Sequence, residues 1–226
     1  MILSLIHSKK KRFVFFYFGL IERSEFEKME GVGTRLYLTR HGEVVNHGIY
    51  NGHKDVDMTA TGLGQMERLR NRLIDRNLSA VYCSDLMRTK KGAARVAEPH
   101  EIVPEEIPQF RELHFGRWQG LTLAEVQEKY PDDFPQWMKN LSTFRIPGGE
   151  SFQDLSHRAL PKLEELIGMH RGGEFAVVCH GVLNRIILAE ALQLSYDSLL
   201  RIEQDYGCLN IIDYYPDWTV VKLMNG

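Results

Sequence analysis

The chain has 226 residues, of which 43% are apolar and 26% charged, values that suit one soluble domain with a substantial core. A formal net charge of −2 supplies no electrostatic pull toward nucleic acid or anionic lipid. Cys83, Cys179 and Cys208 lie far apart in apolar segments with no metal-ligand spacing, which predicts buried reduced thiols and a cytoplasmic setting.

The N-terminal segment stands apart from the rest of the chain. Lys9-Lys10-Lys11-Arg12 and the apolar stretch Phe13 to Ile21 have the charge order of a secretion signal, but Glu22-Arg23-Ser24-Glu25 offers no small-residue cleavage site. The apolar stretch is also too short to span a bilayer. Residues 1–33 are therefore expected to be an N-terminal extension outside the fold, with Met29 the natural initiator and a peripheral membrane tether the less favoured alternative. Residues 34–226 are expected to form the domain.

Leu36-Tyr37-Leu38 predicts a short buried strand that ends at Arg40-His41-Gly42-Glu43. Thr59 to Thr61 with Gly62 then opens a helix carrying Leu63, Met66, Leu69, Leu73 and Ile74 at three- and four-residue steps. Ala80 to Cys83 is the next strand, and Ser84-Asp85 is expected to cap a helix bearing Arg88 in its first turns. The loop Phe110 to Gly120 is rich in glycine and aromatic residues and carries Glu112. Two short helical patterns broken at Pro131 come next, between Thr122 and Leu141, an excursion expected to cover the site. Ser151 to Met169 is a longer helix at risk of a break at Pro161. Val177 to Cys179 forms another strand ending in His180-Gly181, with Leu183, Ile186, Ile187 and Leu188 at helical spacing beyond it. Cys208 to Tyr214 and Thr219 to Leu223 make an edge hairpin turned at Pro216-Asp217. Alternating strands and helices predict an α/β three-layer sandwich, a mainly parallel central sheet with helices on both faces.

A histidine beside an arginine at a strand end suits phosphoryl transfer, because neutral imidazole is a good nucleophile and guanidinium offers forked donors to phosphate oxygens. A glycine after the histidine admits substrate close to the backbone. The His180-Gly181 pair at a second strand end and Arg88 after a third would add to the same pocket.

Four separated motifs, around His41, Arg88, Glu112 and His180, occur in one order, and from about Arg35 to the C-terminus the chain resembles the histidine phosphatase superfamily with its phosphoglycerate-mutase-like fold. Tyr50-Asn51-Gly52-His53 with Asp55 to Thr59, Phe115-Gly116-Arg117-Trp118-Gln119-Gly120 and Pro147-Gly148-Gly149-Glu150-Ser151 resemble the phosphatase branch that includes α-ribazole phosphatases. The resemblance implies that His41 is phosphorylated, that Arg40, Arg88 and His180 form the phosphate pocket, and that Glu112 donates the proton. Two arginines and a protonated His180 would supply the charge without a metal or cofactor. Asn51, Gly52 and Gly181 are carried as substrate-binding residues. Superfamily members commonly have Thr-x-x-Asn after the nucleophile. Here Asn46 comes one position early and His47 takes the usual place, so Asn46 is the candidate and His47 is unassigned. The implied partner is a small phosphoester, α-ribazole 5′-phosphate first, handled by a monomer or homodimer. Phosphoglycerate mutase, phosphoprotein phosphatase and a non-catalytic phosphate-binding module are the alternatives.

Overall fold

A computed structural model describes residues 13–16, 19–22 and 33–226. In the first segment β1 (Phe13–Phe16) pairs antiparallel with β2 (Gly19–Glu22) as a sheet of its own. The basic cluster at Lys9 to Arg12 and the proposed start at Met29 lie outside the described residues.

The main sheet contains β3 (Thr34–Arg40), β4 (Leu78–Cys83), β5 (Glu105–Glu106), β6 (Glu174–Cys179), β7 (Leu209–Tyr214) and β8 (Thr219–Leu223), in the order β5-β4-β6-β3-β7-β8. β5, β4, β6 and β3 run parallel, and the C-terminal hairpin adds β7 and β8 antiparallel at the edge. Central parallel strands are covered on both faces, so their side chains alternate between two apolar layers. Leu36, Leu38, Phe175, Val177 and Cys179 enter one core. Tyr37, Val81, Cys83, Ala176 and Val178 enter the other. Each fully buried Leu or Val contributes about 1.5–3 kcal/mol, which fixes the strand register because a one-residue slip would exchange the layers.

One face is covered by α1 (Ala60–Leu73) and α2 (Met87–Ala97). The other carries α3 (Leu123–Lys129), α4 (Asp133–Lys139), α5 (Phe152–Met169) and α6 (Gly181–Ala191). Together these give the expected three-layer α/β architecture. Thr59 caps α1 by accepting the Gly62 N–H at 3.0 Å, and Gly62, Met66, Leu69 and Leu73 face inward. Leu63 and Ile74, expected on that stripe, are 40% and 43% exposed because they sit at its margins. Helix α5 runs unbroken through Pro161, which lies on its exposed side where water can satisfy the carbonyl a turn earlier.

Two local expectations fail. Helix α2 begins at Met87 after Leu86, and Ser84 and Asp85 do not cap it. Asp55 accepts the Met87 N–H at 2.7 Å, while Ser84 bonds His180 and Thr89 and Asp85 pairs with Arg111. The excursion of α3 and α4 packs behind the Phe110 to Gly120 loop, with Trp137 edge-on to Trp118 at 5.7 Å, and none of its residues lines the site cavity.

Candidate active site

β3 and β6 are neighbours whose register pairs Arg40 with Cys179, so His41 and His180 emerge side by side at the C-terminal edge of the sheet. That edge is where open α/β sheets form ligand crevices. The His41 N–H donates to the Cys179 carbonyl at 3.0 Å, and the two imidazole centroids lie 5.2 Å apart.

His41 is buried, and its Nδ1 lies 2.7 Å from the Gly42 carbonyl oxygen. A carbonyl only accepts, so Nδ1 carries the proton and Nε2 keeps its lone pair. Burial, then the charges of Arg88 and Arg40, hold the His41 pKa well below the ordinary histidine value, outweighing the Gly42 hydrogen bond that favours protonation. The ring is therefore neutral, with Nε2 available as a nucleophile.

Arg88 is almost completely buried and uses all three of its nitrogens. Nε donates to His41 Nε2 at 3.2 Å, Nη2 to the Gly52 carbonyl at 2.7 Å and Nη1 to the Lys54 carbonyl at 2.8 Å. Gly52 adopts φ 52°, and a Cβ there would run into Gln119 Oε1 and the Leu113 carbonyl, which accounts for glycine at this turn. Arg40 donates from Nη1 to the Gln204 carbonyl at 2.6 Å and lies 3.7 Å above the Tyr206 ring. Its buried Nε has no partner among the described residues.

His180 is fully buried with Nε2 2.8 Å from Ser84 Oγ, and its Nδ1 has no partner among the described residues. Burial, followed by the charges of Arg88, His41 and Arg40, pushes its pKa well below the usual value. This corrects the expectation of a protonated His180: a second cation beside two arginines in a dry site is disfavoured, and the ring is neutral.

Glu112 reaches the same cavity from the loop before α3. Its carboxylate accepts the N–H groups of Val182 at 3.1 Å and Leu183 at 3.3 Å, in the first turn of α6, together with its own neighbour Leu113 at 3.0 Å. The N-terminus of a helix favours such an acceptor. Arg40, His41, Gly52, Arg88, Glu112 and Gly181 thus line one cavity, joined by Asn51. Asn51 donates from Nδ2 to the Asn46 carbonyl at 3.0 Å, and its buried Oδ1 has no partner among the described residues. Asn46 itself does not line the cavity. It occupies the exposed turn 45–48, where its carbonyl accepts the Asn51 side chain.

Sequence reading missed Arg185 and Tyr206, which also line the cavity with Tyr50, Phe115 and Val182. Arg185 lies four residues after Gly181 on α6, and that one-turn spacing was the available signal. Its Nε and Nη1 donate to the carbonyls of Ile202 and Gly181 at 2.7 and 3.1 Å. Tyr206 comes from an irregular loop without any periodic signal. Among the described residues, no three His, Cys, Asp or Glu side chains are grouped so that they could hold a metal ion.

Two buried histidines, three arginines and a carboxylate converging at the C-terminal edge of the parallel strands define a phosphoryl-transfer site. Residues 36–226 match the histidine phosphatase superfamily (branch 1), and the chain belongs to that family. Its relatives include phosphatases, and the chain is a phosphatase. It is 35% identical over 178 residues to the metal-independent phosphoserine phosphatase of Arabidopsis thaliana, covering 76% of this chain and 74% of that one. It is 25% identical over 194 residues to the adenosylcobalamin/α-ribazole phosphatase of Salmonella typhimurium, covering 85% and 96%. The crystal structure of the α-ribazole phosphatase from Shigella flexneri superposes with a TM-score of 0.76 at 28% identity, again over 85% and 96%.

Proposed function

We propose that the protein is a metal-independent phosphomonoesterase that works through a phosphohistidine on a small phosphorylated metabolite, with α-ribazole 5′-phosphate the first candidate. The observation that carries the reading is the neutral His41 Nε2 facing a cavity shared with Arg40, Arg88 and Glu112.

In the first step, which Glu112 enters as the protonated acid, Nε2 attacks phosphorus, an N–P bond forms, and the P–O bond to the leaving alcohol breaks as Glu112 delivers its proton to that oxygen. Arg88 releases Nε2 and turns its N–H to the phosphoryl oxygens, which it and Arg40 neutralise. In the second step Glu112, now a carboxylate, takes a proton from water, which attacks phosphorus and restores His41 as the N–P bond breaks. His180 contributes an N–H donor, and Asn51 and Gly52 contact substrate.

The aromatic and apolar wall of Tyr50, Phe115, Val182 and Tyr206 suits the base of α-ribazole. A second reading, phosphoserine, draws on Arg185, whose guanidinium could meet a carboxylate, and on the phosphoserine phosphatase relative. Residues 34–226 would carry the activity in the cytoplasm, a compartment favoured by three buried free thiols. No described helix is long and apolar enough to cross a membrane.

The test is release of phosphate from α-ribazole 5′-phosphate, phosphoserine and 3-phosphoglycerate in parallel. The highest kcat/KM is expected on α-ribazole 5′-phosphate, and a clear preference for phosphoserine favours the second reading. Rapid isomerisation of phosphoglycerate with little phosphate released would instead make the protein a mutase.

A further inference from the structure

The Pro147-Gly148-Gly149-Glu150-Ser151 segment does not line the site cavity, yet Glu150 is hydrogen-bonded to the backbone of His114, two residues beyond Glu112. Ser151 caps α5 through a reciprocal pair with Asp154, and two turns into that helix Arg158 points back toward the loop. All five N–H donors of its guanidinium are engaged. Nε and Nη2 grip both oxygens of Glu150 at 2.9 and 2.8 Å. Nη1 donates to the carbonyls of Gln109 at 2.6 Å and Arg111 at 3.1 Å, and Nη2 also donates to the carbonyl of Glu112 at 3.2 Å.

Glu150 completes the frame from the other side. Its Oε2 accepts the His114 N–H at 3.0 Å, and its own N–H donates to the His114 carbonyl at 2.9 Å. The His114 carbonyl and Gly116 approach Gly149 so closely that no Cβ could stand there. His53 Nε2 lies 2.8 Å from the Glu112 carbonyl and acts as its second donor. Burial would raise the Glu150 pKa, but the hydrogen bonds from Arg158 and His114 outweigh it, so the carboxyl lies below its ordinary range and stays charged beside the guanidinium.

We propose that Glu150 and Arg158 are positioning residues that set the reach of Glu112, clamping the backbone of residues 109–114 so that its carboxylate meets the leaving-group oxygen. The inference rests on Glu112 being the general acid. General acid catalysis requires the donor within hydrogen-bond reach of the oxygen it protonates, so a loosened backbone should cost proton delivery far more than phosphate binding. Lysine in place of Arg158 keeps the charge but cannot grip a carboxylate and three carbonyls with one planar fork.

The experiment compares wild type, Glu112→Gln, Arg158→Lys and Glu150→Gln on aryl phosphates of graded leaving-group pKa and on one alkyl phosphate, with thermal melts alongside. Arg158→Lys and Glu150→Gln should lose roughly 10–100-fold in kcat/KM on the alkyl ester and no more than about threefold on 4-nitrophenyl phosphate. KM for the activated ester should hardly move. Combined with Glu112→Gln, either clamp variant should add no further leaving-group dependence, since the proton it positions is already gone. Equal loss on all esters in the clamp variants, or no loss in either, overturns the positioning role while Glu112→Gln still shows the leaving-group signature. If Glu112→Gln itself loses activity equally on every ester, the general-acid reading fails first and the clamp falls with it. Should Arg158→Lys not fold, Glu150→Gln alone carries the comparison, because it removes only the charge from one side of the frame.

Discussion

Replacing Arg88 by Gln tests the electrostatic heart of the site. The side chain holds three acceptors: His41 Nε2, the Gly52 carbonyl and the Lys54 carbonyl. Lys54 is exposed and its carbonyl can find water, whereas the bond to Gly52 is buried. One buried carbonyl left unpaired costs about 1–3 kcal/mol of stability, and part of this is offset because the guanidinium no longer has to be desolvated. The protein should therefore fold with a lowered Tm. The catalytic loss is larger in effect, because removing one preorganised donor to transition-state charge typically costs roughly 10²–10³-fold in kcat, or about 2.7–4 kcal/mol. The same substitution withdraws a charge that helps hold the His41 pKa down, so His41 should titrate closer to the ordinary value of about 6.5 in the variant than in wild type. Steady-state kinetics on 4-nitrophenyl phosphate gives the first quantity, and NMR titration of the imidazole Cε1–H signals gives the second. A variant that keeps kcat within about threefold of wild type, or whose His41 titrates at lower pH than in wild type, would refute the account of Arg88 as charge source and partner of the nucleophile.

His41→Ala should fold yet form no phosphoenzyme with any ester, and radiolabelled phosphate retained on that variant after acid-free quenching would remove His41 from its role. His41 and His180 both have folded-state pKa values below those of the unfolded chain, so their contribution to stability is complete above about pH 6.5 and is lost as pH falls through that value toward the folded pKa values. Tm should consequently be lower at about pH 5.5 than at about pH 7.5, and a flat or inverted profile would contradict the buried neutral state of both rings. Turnover should survive EDTA, since Arg40 and Arg88 provide the positive charge. Activity lost to chelator and restored by magnesium or manganese would sink that mechanism. A chain beginning at Met29 should retain wild-type kcat/KM, and a large loss would make the preceding residues part of the domain.

The strands and long helices were legible because they are written in apolar periodicity: Leu36 to Leu38 and Val177 to Cys179 alternate between two cores, and α1 and α6 bury their faces at helical steps. The site residues at strand ends were legible for the same reason, since a strand that stops at His41 or His180 delivers that residue to the sheet edge. Properties set by distant segments were not. The neutrality of His180 depends on burial and on Arg88 and Arg40 arriving from other elements. Asn46 matched a linear pattern one position out, and a linear pattern does not say that the turn at 45–48 faces solvent while Asn51 lines the cavity. Ser84 looked like a helix cap because Ser-Asp before a helix usually is one, yet the neighbouring strand supplies His180 as a buried partner and Asp55 takes over the cap. Arg185 needed only its one-turn spacing from Gly181 to be found, whereas Tyr206 needed the loop geometry itself.

The adjacency of β3 and β6 also has a kinetic side. Thr39 and Val177 touch across the centre of the sheet although 138 residues separate them in the chain. Closing so long a loop comes late, because its entropy must be met before the contact returns anything. The nucleophile is synthesised early and then waits for nearly the whole domain before it gains a neighbouring histidine, a helix start for Glu112 and a complete phosphate pocket. A chain interrupted between Glu112 and Glu174 would carry Arg40, His41, Arg88 and Glu112 and still hold no assembled site. Recovery of phosphatase activity during refolding should therefore report the last long-range pairing of the sheet, and lag behind the recovery of helical signal.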